Sequence, residues 1–408
     1  MKQWGVRPFL AALLMLVTAC SPAAQPAPTA APAVAAKPTT VPAPAASSAP
    51  APSAASKPAA SPAASPAAAA SAPSVSITGP SAGEAKALNA AGATFPAPLY
   101  QKWFDEYAKI TQVQVNYQAI GSGGGIKGIQ DQTIDFGASD APMTDEQLAA
   151  AKGGPIFHIP TALGAIVMTY NIPNVKTKLK FTGATIAGIF LGDIARWNDP
   201  KLVADNPDLA QINEDIVTVH RSDGSGTTFG FTDYLSTVSP DWQTRVGKAT
   251  SVNWPVGLGG SGNPGVAGEV QQNPFSIGYV ELIYAVGNKL DYGMVKNKAG
   301  QWIDPTLDSV TAAASAALTA IPADLRFSIV DASGDTSYSI STATWLLAYK
   351  TQTDQAKALA LTRLLWWATH DGQKFNKDLQ YAVVPDGLTA KSDQFIHQIV
   401  FNGQPVLP

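Results

Sequence analysis

The chain has 408 residues, with 27 basic and 30 acidic side chains and a formal net charge of −3 at pH 7. Loss of the first 19 residues removes Lys2 and Arg7 and leaves 25 basic against 30 acidic side chains, a net charge of about −5. A net-negative protein has no broad basic field, which argues against nucleic acid as a partner. The single cysteine excludes an intrachain disulfide.

Residues 1–19 have the pattern of a secretory signal peptide. Lys2 and Arg7 form its basic region, and residues 9–17 form an apolar region shorter than the roughly 20 residues that span a membrane. The sequence Val17-Thr18-Ala19-Cys20 resembles a lipobox, in which Cys20 receives lipid after cleavage. Because Cys20 is the only cysteine, lipidation is favoured over ordinary cleavage beside an incidental cysteine. We therefore expect an extracytoplasmic protein anchored to the cell membrane through Cys20.

Residues 20–83 are rich in Ala, Pro and Ser, and Lys37 and Lys57 are their only charged side chains. No aromatic residue occurs among them. Such a segment buries too little apolar surface to offset its ordering entropy, so we expect a disordered tether. At about 3 Å per residue it reaches on the order of 200 Å when extended.

The remaining residues, 84–408, are more than one hydrophobic core usually takes and fit two lobes. Strands are predicted at 113–117, 134–138, 156–160, 164–170, 216–219 and 276–280. Helices are predicted at 125–130, 185–191, 229–237 and 355–369. Alternation of this kind predicts an α/β fold with mixed or mostly parallel sheets.

Four turns rich in Gly, Ser and Thr are each predicted between a strand and a helix. They span residues 91–98, 121–125, 135–142 and 220–228. Such a turn points backbone N–H groups and a helix dipole at a bound anion, and Arg221 adds a fork suited to a tetrahedral oxyanion. Each turn alone is more often a capped helix, a tight turn or a local Arg–Asp pair. Four in one chain favour a small-anion cleft at the sheet edge.

The segments AGATFPAP, GSGGG, DFGASDAP and RSDGSGTT, in this order and spacing, resemble the PstS family, the phosphate-binding component of the phosphate-specific ABC importer. The similarity extends through 254–260 and 277–281 and covers nearly all of the chain from about Gly92. There are two departures. Gly123 replaces a serine of the family's usual Gly-Ser-Ser-Gly-Gly turn, and Tyr338-Ser339-Ile340 replaces its Trp-Pro-Ile segment.

The resemblance implies eight phosphate contacts in this sequence. Hydroxyl groups, backbone N–H groups, one carboxylate and one guanidinium would take part. The residues are Thr94, Phe95, Ser122, Asp140, Arg221, Ser225, Gly226 and Thr227, with Phe95 and Gly226 acting through the backbone. Asp223 would hold Arg221 in place without touching phosphate.

The resemblance also implies a two-lobe Venus-flytrap fold of the type II periplasmic binding class. Lobe 1 would take 84–163 with 341–408 and lobe 2 would take 164–340, joined by two hinge crossings. Inorganic phosphate would be the ligand, and the permease subunits of an ABC importer, and through them its ATPase, would be the partners. We expect a monomer with no cofactor and no bound metal.

Asp140 is the unusual member of this set, because a carboxylate repels an anion unless a proton lies between them. Phosphate near neutral pH still carries a proton, whereas sulfate does not. Asp140 is therefore predicted to accept the phosphate proton and to leave sulfate facing an unpaired buried charge.

Three alternatives remain. The first is a phosphatase-like enzyme or other hydrolase, but Ser225 lacks the Gly-x-Ser-x-Gly elbow and the four histidines lack metal-ligand spacing. His220, the one candidate base, is predicted to face away from Arg221. The second is a binding protein for another oxyanion: arsenate shares the proton of phosphate, while sulfate and molybdate do not. The third is an adhesion protein, suggested by the long tether.

Overall fold

Two groups of three parallel strands, separated by two antiparallel strands, form the centre of the fold. The computed structural model describes residues 75–407. Its strands are β1 (Ala87–Gly92), β2 (Gln114–Ala119), β3 (Phe136–Ser139), β4 (Ile156–Asn171), β5 (Lys180–Phe181), β6 (Val217–Arg221), β7 (Leu258–Gly260), β8 (Ser276–Glu281), β9 (Asp291–Tyr292), β10 (Met294–Lys296), β11 (Trp302–Ile303), β12 (Ser341–Tyr349), β13 (Thr351–Gln352), β14 (Val400–Phe401) and β15 (Gln404–Pro405).

Helices cover this sheet and connect its parallel strands. The α-helices are α1 (Ala97–Thr111), α2 (Ser122–Gln130), α3 (Asp145–Ala149), α4 (Gly183–Leu191), α5 (Pro200–Val203), α6 (Gly226–Val238), α7 (Pro240–Arg245), α8 (Gly262–Gln272), α9 (Leu282–Gly287), α10 (Leu307–Ala317), α11 (Gln355–Thr369) and α12 (Asp386–His397). Short 3₁₀ turns lie at Pro207–Gln211, Leu318–Ala320, Asp371–Phe375 and Lys377–Leu379. No helix within residues 75–407 is long and apolar enough to cross a membrane.

The main sheet has nine strands within the described residues, in the order β2-β1-β3-β12-β4-β8-β6-β7, with β9 also paired to β4. Strand β1 is parallel to β2 and β3, and β6 is parallel to β7 and β8. Strands β12 and β4 pair antiparallel to each other and to their other neighbours. The predicted α/β class with mixed sheets is therefore confirmed.

Strand β4 runs without interruption from Ile156 to Asn171, although the sequence predicts two strands, 156–160 and 164–170. The two-strand prediction is wrong, because Ala162 and Leu163 pair with β12 and Thr161 is the extra residue of a β-bulge. The register of β12 against β4 shifts between Thr344 and Trp345, and the bulge accommodates Pro160, which has no N–H to donate. The strand changes partner after the bulge, from β12 up to Ala165 to β8 from Ile166 onward.

The predicted tether ends earlier than residue 83, because residues 75–83 pack on the folded part. Ile77 is 3% exposed, and the indole Nε1 of Trp366 donates to the carbonyl of Val75 at 2.8 Å. Arg363 donates to the carbonyl of Gly79 at 2.5 Å and to Glu84 Oε2 at 3.0 Å. Ile77 supplies buried apolar area that alanine and proline do not. Residues 20–74, and with them Cys20, lie outside the described residues.

We predict that removing residues 20–74 leaves the melting temperature unchanged, whereas extending the deletion to Gly83 lowers it by several degrees. The single change Ile77→Ala should cost about 2–5 kcal/mol of unfolding free energy, because it opens a cavity beneath a buried side chain. Thermal denaturation in phosphate-free buffer measures both effects. The matched control is Ile120→Ala, since Ile120 is 53% exposed. Equal melting temperatures for Ile77→Ala and the parent would contradict the packing described here.

Candidate functional site

The four predicted turns meet at one place, where the carboxyl ends of the two groups of parallel strands face each other. Thr94, Ser122 and Asp140 follow β1, β2 and β3, and Arg221 ends β6. The backbone N–H of Asp140 donates to Ser122 Oγ at 3.2 Å. A Cβ placed on Gly226 would lie 2.6 Å from both Ser122 Oγ and Asp140 Cβ, so only glycine fits this approach. Parallel strands align their carboxyl ends, which explains why distant segments converge.

The Arg221 guanidinium is buried and held by a carboxylate. Its Nε donates to Asp223 Oδ1 at 2.7 Å and Nη2 donates to Asp223 Oδ2, which forms a bidentate ion pair. Burial opposes ionisation of Asp223, but the bonds from Arg221 outweigh it and hold the pKa of Asp223 below its usual value. Arg221 Nη1 also donates to Thr227 Oγ1 at 3.3 Å. Of the five guanidinium N–H groups, two remain for a ligand among the described residues.

All four hydroxyl groups of the predicted set accept a hydrogen bond from the protein. The donors and acceptors are Asn263 N to Thr94 Oγ1 at 3.1 Å, Asp140 N to Ser122 Oγ at 3.2 Å, Thr228 N to Ser225 Oγ at 2.9 Å and Arg221 Nη1 to Thr227 Oγ1 at 3.3 Å. A hydroxyl has one proton and two lone pairs. The accepted bonds use none of the four hydroxyl protons, so each hydroxyl keeps the capacity to donate.

Backbone N–H groups complete the donor set. Gly226 and Thr227 open helix α6, and Ser122 opens α2, so their N–H groups have no partner inside the helix. The carbonyl of Thr94 accepts from Tyr284 Oη at 2.5 Å. In a trans peptide the next N–H points the opposite way, so the N–H of Phe95 is directed away from Tyr284. Phe95 is likewise fixed, since its carbonyl accepts from Tyr381 Oη at 2.6 Å.

Asp140 is a buried carboxyl with a strongly raised pKa. The residue is 1% exposed, and Thr344 Oγ1 donates to Asp140 Oδ1 at 2.9 Å. Burial raises the pKa of Asp140 to about 7, against the opposing effects of the Thr344 hydrogen bond and the Arg221 charge. This carboxyl therefore gains or loses its proton close to neutral pH. It is able to accept a proton from a ligand or to donate one.

Two polar residues of the site, Thr344 and Asn263, are absent from the sequence prediction. Thr344 lies on β12 opposite the bulge of β4, and bulges commonly redirect a side chain toward a site. Pro160 on β4 is the one local signal of that bulge, and the residues next to Thr344 carry none. Asn263 offered a signal, because Gly260-Ser261-Gly262-Asn263 repeats the arrangement of strand, small-residue turn and helix between β7 and α8.

His220 does not join this cluster. Its ring stacks on Trp254 with centroids 4.7 Å apart, and its Nδ1 lies 3.0 Å from the carbonyl oxygen of Arg221. Burial lowers the pKa of His220 below its usual value. Within residues 75–407, no group of three or more His, Cys, Asp or Glu side chains is arranged to hold a metal ion.

Comparisons with known proteins agree with this architecture. The family model described as the PBP superfamily domain matches residues 61–361. The phosphate-binding protein PstS of Xylella fastidiosa is 43% identical over 78% of this chain and 88% of its own length. The PstS of Haemophilus influenzae is 44% identical over 74% of this chain and 90% of its own length.

Among solved structures, a phosphate-binding protein from Stenotrophomonas maltophilia superposes with a TM-score of 0.57. The match covers 75% of this chain and 92% of that chain at 16% identity, and it shows a shared fold. The sequence identity and length coverage of the two relatives, together with the family model, establish the relationship. The chain belongs to the PstS family of phosphate-binding proteins, within the PBP superfamily.

Proposed function

We propose that the protein is an extracytoplasmic solute-binding protein that captures inorganic phosphate at the cluster around Arg221 and Asp140 and delivers it to an ABC importer. The observation that carries the proposal is Asp140, a buried carboxyl with a pKa of about 7 among donors suited to an anion. The PstS relatives are named for phosphate binding, which supports the same ligand.

The donors suffice for tight binding. Hydrogen bonds to a charged group contribute about 1.5–3 kcal/mol each, and micromolar affinity requires about 8 kcal/mol. We assign the contacts to the two N–H groups and the side chains predicted above. They are Thr94, Phe95 N–H, Ser122, Asp140, Arg221, Ser225, Gly226 N–H and Thr227. Several such bonds exceed the requirement even after ordering costs.

Selectivity for phosphate over sulfate follows from Asp140, the single acceptor among the assigned contacts. A ligand oxygen facing Asp140 needs a proton when the carboxylate is charged, and phosphate and arsenate supply one whereas sulfate does not. Arsenate is therefore the alternative ligand. Hydrolysis is disfavoured, because Ser225 caps α6 with its hydroxyl oxygen and His220 stacks on Trp254 instead of contacting Ser225.

The proposed lobes, 84–163 with 341–408 and 164–340, meet at strand β4. The partner change of β4 between Ala165 and Ile166 lies close to the first proposed crossing. The N–H of Ile166 donates to the carbonyl of Ile340 at 2.9 Å, which brings the two crossings together. The N–H of Gly123 donates to the carbonyl of Gly224 at 2.8 Å across the cleft, as in a closed state. Phosphate would favour closure by bonding to both lobes.

The proposed partners are the permease subunits of the importer and, through them, its ATPase. The protein would act as a monomer and would be held at the membrane by lipid on Cys20. Residues 20–74 would be the tether that allows the folded part to reach the permease. The sequence Val17-Thr18-Ala19-Cys20 supports the anchor.

We predict that calorimetric titration with phosphate gives micromolar or tighter binding, and that Arg221→Ala weakens it by about 2–5 kcal/mol, more than roughly thirtyfold. The variant loses two ligand bonds and leaves Asp223 unpaired. The control is Arg196→Ala, because Arg196 pairs with Asp215 on the surface, where the two side chains are 52% and 78% exposed. Parent-like affinity in Arg221→Ala would contradict the assigned site, and a parent that binds no phosphate would refute the proposal.

We predict that sulfate binding strengthens as pH falls from 8.5 to 5.5. The pKa of Asp140, about 7, lies above its usual value, so the carboxyl is neutral and can donate at pH 5.5 and is charged and repulsive at pH 8.5. Asp140→Asn has an amide that donates at both pH values and should bind sulfate without this dependence. Asp215→Asn is the surface control. Equal exclusion of sulfate at both pH values by the parent and Asp140→Asn would rule out the proposed role.

Lipidation can be tested by Cys20→Ser. This variant should leave the membrane fraction and appear in the medium or the periplasm, because the thiol that receives lipid is gone. Its phosphate affinity should match the parent, since Cys20 lies far along the sequence from the cluster. Cell fractionation followed by immunoblotting measures the distribution. Retention of Cys20→Ser in the membrane fraction would count against the anchor.

A further inference from the structure

The Asn263 side chain connects the two groups of parallel strands at the cleft. It is fully buried at the start of α8. Its backbone N and its Nδ2 each donate to Thr94 Oγ1 at 3.1 Å, and Nδ2 also donates to Thr227 Oγ1 at 3.0 Å. Thr94 follows β1 and Thr227 follows β6, so one amide group bonds to both sides.

The orientation of this amide is fixed by a third contact. The backbone N–H of Glu281 donates to Asn263 Oδ1 at 2.9 Å. A backbone N–H can only donate, so the atom that faces it must be the oxygen. The NH₂ group is thereby directed at the two threonines, where it supplies one proton to each hydroxyl oxygen.

These bonds fix the direction in which each of the two hydroxyl groups can donate its own proton. Thr94 Oγ1 accepts two hydrogen bonds from Asn263, and Thr227 Oγ1 accepts one from Asn263 and one from Arg221 at 3.3 Å. Both lone pairs of each oxygen are therefore occupied. Each hydroxyl proton is left for a further acceptor, which a bound anion in the cleft would supply.

We infer that Asn263 is a positioning residue that makes Thr94 and Thr227 obligate donors and bonds the two sides of the closed cleft, without itself contacting the ligand. The inference rests on the proposed function. It deepens the selectivity argument, because hydroxyls whose two lone pairs are both engaged offer no acceptor to a proton carried by a ligand oxygen. The proton of a bound phosphate is thereby confined to the oxygen that faces Asp140.

The test compares Asn263→Asp with Asn263→Ala by calorimetric titration with phosphate at pH 8. The aspartate keeps the shape but only accepts, so it draws both threonine protons away from the cleft. We expect it to weaken binding by at least about a hundredfold, and the alanine, which removes two donors without reversing the hydroxyls, by about tenfold. A merely structural role predicts the opposite order, because alanine leaves a cavity and aspartate does not.

A double-mutant cycle with Thr227→Val separates hydroxyl reversal from simple charge repulsion. In the parent background, Thr227→Val removes a donor to phosphate and should weaken binding. In the Asn263→Asp background the same change should have little further effect, since that hydroxyl no longer faces the ligand. Additive effects, or an alanine variant at least as impaired as the aspartate variant, would overturn the inference.

Asn297→Asp is the matched control. Asn297 is also buried, and its Nδ2 donates to the carbonyls of Gly334, Asp335 and Ser337, none of which belongs to the cleft. The Asn297→Asp change should lower the melting temperature and leave phosphate affinity unchanged. A parent that binds no phosphate refutes the proposed function, whereas a parent that binds phosphate with both Asn263 variants unchanged refutes only the role of Asn263.

Discussion

The site depends on the carboxylate of Asp223, which holds together three segments of the chain. It accepts two bonds from Arg221 and one from the N–H of Gly262 at 2.9 Å, so it joins the end of β6 to the start of α8. A Cβ on Gly121 would lie 2.3 Å from Asp223 Oδ2, which shows how closely the turn after β2 approaches it. Because Asp223 neutralises Arg221, the proposed site would recognise an anion through directed hydrogen bonds and not through excess positive charge.

Much of this arrangement was predictable from local sequence. Turns of Gly, Ser and Thr at strand ends mark the carboxyl edge of parallel strands, and all four predicted turns lie there. Helix α11 spans Gln355–Thr369 as predicted, because its apolar residues recur at helical spacing. Helices α2 and α6 begin at Ser122 and Gly226, three residues before their predicted starts. Glycine and serine resemble a turn in sequence even when they form the first helical turn.

The parts that sequence did not predict depend on contacts between distant segments. Thr344 reaches Asp140 across 204 positions, and Asn263 reaches Thr94 across 169. Nothing in the residues next to Thr344 indicates the register shift that directs its hydroxyl. The Ala, Pro and Ser content of residues 20–83 as a whole places Ile77 in the predicted tether, although its own neighbours are Ser76 and Thr78. Its burial goes with the packing of residues 75–83 on the fold, where Trp366 of α11 donates to the carbonyl of Val75 across 291 positions.

The packing of residues 75–83 on α11 also has a mechanical consequence. Strand β1 begins at Ala87, and Thr94 follows its last residue by only two positions. A pulling force on the N-terminal segment would therefore act directly on the turn that carries Thr94 if nothing intervened. The bonds from Trp366 and Arg363 to the carbonyls of Val75 and Gly79 transfer that load to α11. Tension on the chain before residue 75 would therefore be borne by the contacts of residues 75–83 with α11. The geometry around Thr94 would not be distorted by it.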